Sequence, residues 1–257
     1  MHARLRLALP LLALGVPAAR ATAATPLRIA FDAASAPTMY TDAQGGAAGV
    51  YPAIVRHAFA LMNEPAELVA EPFRRLIATL FGGTGAAGGV VRNEERLAIA
   101  DYSGDYFTEN LSLFRRAGAP ELPPGIAGLR GLHIGVVRGW SYGDAFDRAR
   151  AQHLFAVEEV DTDSRNFGKL RLNRLDAVVA TELAGRMLLG AEAAGTIAPL
   201  AQPLLSMGIA LAVPKTLSAK PLLQRFDQAI AAMRRDGSLE TIVAAEVEHA
   251  RRLLPAS

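Results

Sequence analysis

Residues 90–107, VVRNEERLAIADYSGDYF, follow a glycine-rich run and break an apolar chain with five consecutive polar residues, Arg92, Asn93, Glu94, Glu95 and Arg96. Three readings compete for this stretch: a solvated turn, an acid/base pair, or the grip on a ligand. Glu94, Glu95, Asp101 and Asp105 could supply an acid and a base, but carboxylates beside Arg92 and Arg96 are more often paired or solvated. The elements on either side are needed to choose.

Upstream, PLRIAFDA (26–33) is a short apolar run rich in strand formers, closed by a loop with Pro37, Gly45 and Gly46. GVYPAIVRHAFALMN (49–63) carries Val50, Ile54, Ala58 and Leu61 at helical spacing, with Pro52 suited to the first turn. PFRRLIATLF (72–81) puts Phe73, Leu76, Ile77 and Leu80 on one helical face. Downstream, NLSLFRR (110–116) reads as a strand and APELPPGIAG (119–128) as a Pro- and Gly-rich linker. A second series follows: LHIGVV strand, DAFDRARAQHL helix, SRNFGKLRLNR helix, LDAVVA strand and TELAGRMLLG helix. The strand-like GIALAVPK (208–215) then precedes an amphipathic stretch that Gly237 divides into two helices. The alternation predicts an α/β protein.

At 257 residues and 51% hydrophobic content, the chain can bury one large domain or two lobes. Its formal charge is +2, but Arg4, Arg6 and Arg20 stand among the first 23 residues, where there is no acid; without them 24 basic residues face 25 acidic ones. Nothing in that balance points to nucleic acid. The same 23 residues, MHARLRLALPLLALGVPAARATA, place a basic start before an apolar run and Ala-x-Ala sites, the pattern of a cleaved secretory signal peptide. Pro10, Gly15 and Pro17 interrupt the run, and no later segment is long and apolar enough to cross a bilayer. There is no cysteine, which excludes lipid attachment at an N-terminal cysteine, disulfides and thiol catalysis. His2, His57, His133, His153 and His249 are scattered without metal-ligand spacing, so neither a metal nor a cofactor is expected.

Two motifs suggest other functions. Residues 83–88, GTGAAG, match GxGxxG, but they follow a helix and precede an apolar run, the reverse of a dinucleotide-binding turn. A helix-to-strand turn with close backbone packing fits better. Residues 139–143, GWSYG, match the nucleophile elbow GxSxG in the correct strand-to-helix context, with Asp176 and His249 following in order. No oxyanion segment accompanies them, and His249 lies in a helical pattern. The motif then reads as a tight turn, or as a polar-ligand site where Ser141 meets free helix-start amides.

Taken in order, GVYPAIV, PFRR, RNEERLAIADYSGDYF, LSLFRR, LRGLHIGVVRGWSYGDAF, KLRLNRLDAVVA and GIALAVPK resemble the family 3 periplasmic solute-binding proteins over about residues 26–245. The resemblance implies a two-lobed type II periplasmic-binding fold with a ligand cleft between the lobes. Lobe one would take residues 24–116 plus 207–257 and lobe two 117–206, with crossovers near LSLFRR and LSMGIALAV. It implies that the arginine ending (T/N)-x-x-R, here Arg96, binds a ligand carboxylate, and that Glu94 and Glu95 are turn residues. A guanidinium fork suits that task, with a structural salt bridge to Glu94, Glu95 or Asp101 as the alternative. Amino-acid binders of the family place hydroxyls seven and five positions before this arginine, where this chain has Gly89 and Val91. They also place an aspartate for the ligand's ammonium where this chain has Thr181.

The expected ligand contacts are Tyr40, Tyr51, Phe73, Val91 and Arg96 from lobe one and Trp140, Ser141, Tyr142 and Thr181 from lobe two. Tyr40, Phe73 and Trp140 could equally be core residues. The expected protein is a periplasmic, monomeric, non-catalytic receptor that closes on a small polar, carboxylate-bearing solute. Its partners would be an ABC permease or a sensor. The rival is an enzyme: a serine hydrolase through Ser141, or a dehydratase of the kind a few family members have become.

Overall fold

Residues 25–190 and 195–253 are described by the structure, a computed structural model. The leader read over residues 1–23 lies outside them. Strand β1 (Leu27–Asp32) forms from the first apolar run, and its last four residues are buried. Three short strands, β2 (Ala34–Ser35), β3 (Met39–Thr41) and β4 (Ala47–Ala48), make a small sheet of their own. Helix α1 (Val50–Leu61) buries Val50, Ile54 and Ala58 as its spacing predicts, with Pro52 in the first turn, whereas Leu61, the fourth residue of that spacing, is exposed at the helix end. Strand β5 (Ala66–Glu71) leads to α2 (Phe73–Phe81), which buries Leu76 and Leu80.

The glycine run then becomes strand β6 (Ala86–Val90), parallel to β1. A Cβ at Gly88 would lie 2.2 Å from Phe31 Cζ, so the glycines serve close packing. Helix α3 (Glu94–Ile99) and strand β7 (Ala100–Tyr102) come from the quoted polar stretch. Glu94 and Glu95 therefore occupy a helical first turn, where their charge suits the helix dipole; the resemblance had implied turn residues there.

Two long strands join the halves of the molecule, β8 (Phe107–Arg116) and β13 (Leu205–Pro214). They pair antiparallel over residues 107–111 and 205–209. Beyond that, β8 pairs with β11 (Ala177–Thr181) and β12 (Ile197–Pro199), whereas β13 pairs with β6 and β7. Each strand thus gives one end to each lobe.

The second lobe is completed by β9 (His133–Val137), α4 (Asp144–Ala151), β10 (Ala156–Val160), α5 (Asp163–Arg171) and α6 (Glu182–Leu189). The sheet order is β10-β9-β11-β8-β13-β6-β1-β5. At the C-terminal end, α7 (Lys220–Asp236) and α8 (Ser238–Leu253) pack on α1, separated by Gly237 at φ +77°. That positive φ is the left-handed cap a glycine adopts without strain.

Each lobe has its own core. Phe31, Ile54, Phe59, Tyr106 and Phe226 centre one, and Leu111, Ile134, Tyr142, Phe146 and Phe155 centre the other. A fully buried side chain of this size contributes about 1.5–3 kcal/mol. The architecture is α/β and two-lobed, with β8 and β13 connecting the lobes.

Candidate functional site

Arg96 is fixed by its own local sequence. Asn93 caps α3 by accepting the Arg96 amide hydrogen at 2.9 Å, which places Arg96 in the first turn. Its side chain folds back, and Nη1 donates to the Val91 carbonyl at 3.2 Å. The guanidinium carbon lies 5.8 Å from the Phe73 ring centroid. Arg96 is only 4% exposed, and burial pulls its pKa below the ordinary arginine range.

Among the described residues, no carboxylate comes within 4.0 Å of the Arg96 guanidinium. The neighbouring acids are engaged elsewhere or exposed: Glu94 faces Arg148 at 3.7 Å, and Asp105 pairs with Arg92. A structural salt bridge to Glu94, Glu95 or Asp101 does not form.

The cavity that receives this guanidinium has a volume of about 40 Å³. Lobe one lines it with Thr38, Met39, Tyr51, Phe73, Gly89, Val90 and Val91 beside Arg96; the long strands add Glu109, Met207 and Ile209; lobe two adds Trp140, Ser141 and Thr181. Phe73 and Trp140 meet across the cleft with ring centroids 5.8 Å apart. Seven of the nine expected contacts therefore converge: Tyr51, Phe73, Val91, Arg96, Trp140, Ser141 and Thr181.

Tyr40 and Tyr142 lie away from the cavity. Tyr40 follows Met39 on β3, and successive side chains of a strand point to opposite faces, so Met39 takes the cavity side. Tyr142 is wholly buried in the second core, where its hydroxyl accepts the Val137 amide at 2.8 Å.

The absence of a hydroxyl at position 89 also has a steric cause. A Cβ there would lie 2.5 Å from Met39 Sδ and 2.7 Å from the Tyr51 ring. Met39 and Tyr51 occupy the volume a side chain would need.

Glu109 was not expected. It is 3% exposed on β8, and Tyr51 Oη donates to its Oε2. Burial pushes its pKa up to about 7, against the opposing hydrogen bonds of Tyr51 and Thr181. Thr181 is also the N-cap of α6, its Oγ1 accepting the Ala184 amide at 3.2 Å. A sequence signal for Glu109 existed: Phe107, Glu109, Leu111 and Leu113 alternate along one strand, and a carboxylate in an apolar alternation needs a reason.

The hydrolase constellation is not assembled. Ser141 donates to Asp147, Asp176 accepts the His133 amide at 2.8 Å, and His249 lies on α8, which packs on α1 and α7. No group of three metal-ligating side chains occurs among the described residues, and no described helix is long and apolar enough to cross a membrane.

Several solved structures share this architecture. A histidine kinase sensor domain with similarity to periplasmic binding proteins is 20% identical, with TM-score 0.72 over 86% of this chain and 95% of that one. An ancestral arginine-binding protein bound to arginine is 21% identical, with TM-score 0.71 over 86% and 97%. An ancestral amino acid-binding protein, a precursor of cyclohexadienyl dehydratase, is 17% identical, with TM-score 0.68 over 86% and 95%. No curated protein sequence matches the chain. Residues 27–245 match the profile of one family, and the chain belongs to the bacterial extracellular solute-binding proteins, family 3.

Proposed function

We propose that the protein is a periplasmic substrate-binding protein that captures a small polar, carboxylate-bearing solute and presents its closed form to an ABC permease or a sensor partner. The observation that carries this reading is Arg96: a buried guanidinium, unpaired by any described carboxylate, opening on a cavity between two lobes. A cation removed from water is stable only when it gains a partner, and a carboxylate matches its planar fork. The moving bodies would be residues 24–116 with 207–257, and residues 117–206, hinged on β8 and β13. Trp140, Ser141 and Thr181 would close from the second body onto a solute seated on the first, and solute binding would favour that closed state. A similar solved structure, the substrate binding protein of an amino acid ABC transporter, supports a permease partner, and the histidine kinase sensor domain supports a sensor partner.

Native mass spectrometry of the purified protein should show a retained small molecule, and calorimetry against amino acids and simple carboxylates should find a ligand whose binding Arg96→Ala removes. Failure of every carboxylate to bind, or unchanged binding in Arg96→Ala, overturns the reading. For export, intact mass of an osmotic-shock fraction should give a chain beginning at Thr22 or Ala24. A full-length chain held in membranes would count against it.

A further inference from the structure

The cavity holds two buried ionisable groups of opposite sign, and neither has an ionic partner among the described residues. Arg96 meets no carboxylate within 4.0 Å among the described residues, and Glu109 meets no Lys, Arg or His within that distance. Both line one small cavity. They do not neutralise each other: among the described residues the Arg96 guanidinium donates to the Val91 carbonyl, and Glu109 takes the Tyr51 hydroxyl, with Thr181 beside it. Hydroxyls satisfy part of a carboxylate, which offers about four acceptor sites. Unlike charges buried in one pocket and left unpaired are costly unless a guest supplies both complements.

We propose that Glu109 accepts an amino group of the bound solute, so that the solute is an amino acid held by its carboxylate on Arg96 and by its amine on Glu109. This rests on the reading of Arg96 given above. The position where the resemblance leads one to expect an ammonium-binding aspartate holds Thr181, a neutral residue. Thr181 instead orients the charge: its Oγ1 accepts from Ala184, which leaves its own proton for Glu109. The anion thus comes from a strand that joins the lobes rather than from the start of a second-lobe helix. Met39, Phe73, Trp140 and Met207 form walls without further charge, which suits an amino acid with an apolar side chain.

The test is calorimetry with the twenty common amino acids and, for each one that binds, the same molecule lacking its amine, propionate for alanine being the simplest pair. Wild type should bind the amino acid at least tenfold more tightly than its amine-free counterpart. Glu109→Gln, nearly isosteric, should weaken the amino acid at least tenfold and the counterpart less than threefold. If Glu109→Gln binds amino acids like wild type while Arg96→Ala does not, or if only amine-free carboxylates bind, the role of Glu109 is overturned and that of Arg96 survives. If Arg96→Ala binds as wild type does, both readings fall.

A second measurement guards against a variant that does not fold. Glu109 must be ionised to take an ammonium group, so wild-type affinity for the amino acid should fall as pH drops from 7.5 to 5.5, by up to about tenfold per unit below the Glu109 midpoint. The groups facing Glu109 are Tyr51 on α1, Tyr106 before β8, Thr181 on β11, Asp163 on α5, Glu182 on α6 and Arg96 across the cavity. Asp163 is itself pushed up to about 7 by burial and titrates in the same range, so the dependence should persist in Asp163→Asn. Flat affinity across the range would overturn the proposal.

Discussion

Arg96 and Glu109 face one cavity from different kinds of structure. Arg96 stands on a helix capped by its neighbour Asn93, so its position follows from four consecutive residues and can be read from them. Glu109 stands on β8, buried by Tyr51, 58 positions earlier, and by Thr181 from the far lobe, so its environment exists only after both lobes have formed. A local charge announces itself in sequence; a charge made by long-range contacts leaves a fainter mark, here one carboxylate in the apolar alternation of β8.

The sharpest way to break this comparison is to remove the local member. Arg96→Ala should cost on the order of 2–5 kcal/mol in ligand binding, or roughly thirty- to several-thousand-fold, the range for truncating one partner of a buried charge pair. Arg96→Lys should recover only part, since the charge remains but the fork is lost. Because no described carboxylate pairs with Arg96, the ligand-free melting temperature should not fall in Arg96→Ala. A clear drop in that melting temperature, with binding retained, would make Arg96 a structural residue.

The same division between local and long-range order runs through the fold. Interior elements were legible: LRIAFD, LDAVVA and GIALAVP are buried strands, and the spacing of Val50, Ile54 and Ala58 faces a core. Three strands of the sheet order were not: the interior AAGGV, whose glycines read as a helix-to-strand turn, and AELVAE and AVEEV, which are the terminal strands. An edge strand keeps one side toward solvent and carries charge there, so Glu67, Glu158 and Glu159 hide the apolar pattern on which the reading depends, and Glu71, buried against Arg28, hides it further. Met39 was missed for a related reason. The volume above Gly89 that it fills is fixed by the packing of β3 against β6, not by any neighbour in sequence.

The long-range member can be probed through pH. Glu109 rises from an ordinary value of 4.5 to about 7, and Asp163 from 3.8 to about 7, each chiefly through burial. Between those limits the folded protein binds more protons than the unfolded chain, so ligand-free stability should fall as pH rises from about 5 to 7 and level off above. At 1.36 kcal/mol per unit, the upper bound is about 3–4 kcal/mol for each group. Calorimetric melting at pH 5 and pH 8 should show the lower midpoint at pH 8, and Glu109→Gln should flatten part of the slope. Stability that climbs with pH over this window would mean that Glu109 is already paired as a carboxylate in the free protein.

The smallest effect is expected at Thr181, which touches the comparison only through Glu109. Thr181→Ala removes the cap of α6, worth about 1 kcal/mol of stability, and one neutral hydroxyl donor, worth about 1 kcal/mol where it meets the carboxylate. Binding should weaken no more than about tenfold, and Thr181→Ser, which keeps both functions, should behave like wild type. Thr181→Asp is the more telling change, because aspartate still caps the helix but sets a second negative charge beside Glu109. Two adjacent carboxylates cannot both ionise freely, so the pair would retain a proton to higher pH and carry little more charge than Glu109 alone. Amino-acid affinity should then change by less than about tenfold near neutral pH, and the affinity of amine-free carboxylates should fall. A large gain in amino-acid affinity on Thr181→Asp would show that the ammonium had no anion in the wild-type cleft, and would remove Glu109 from that role.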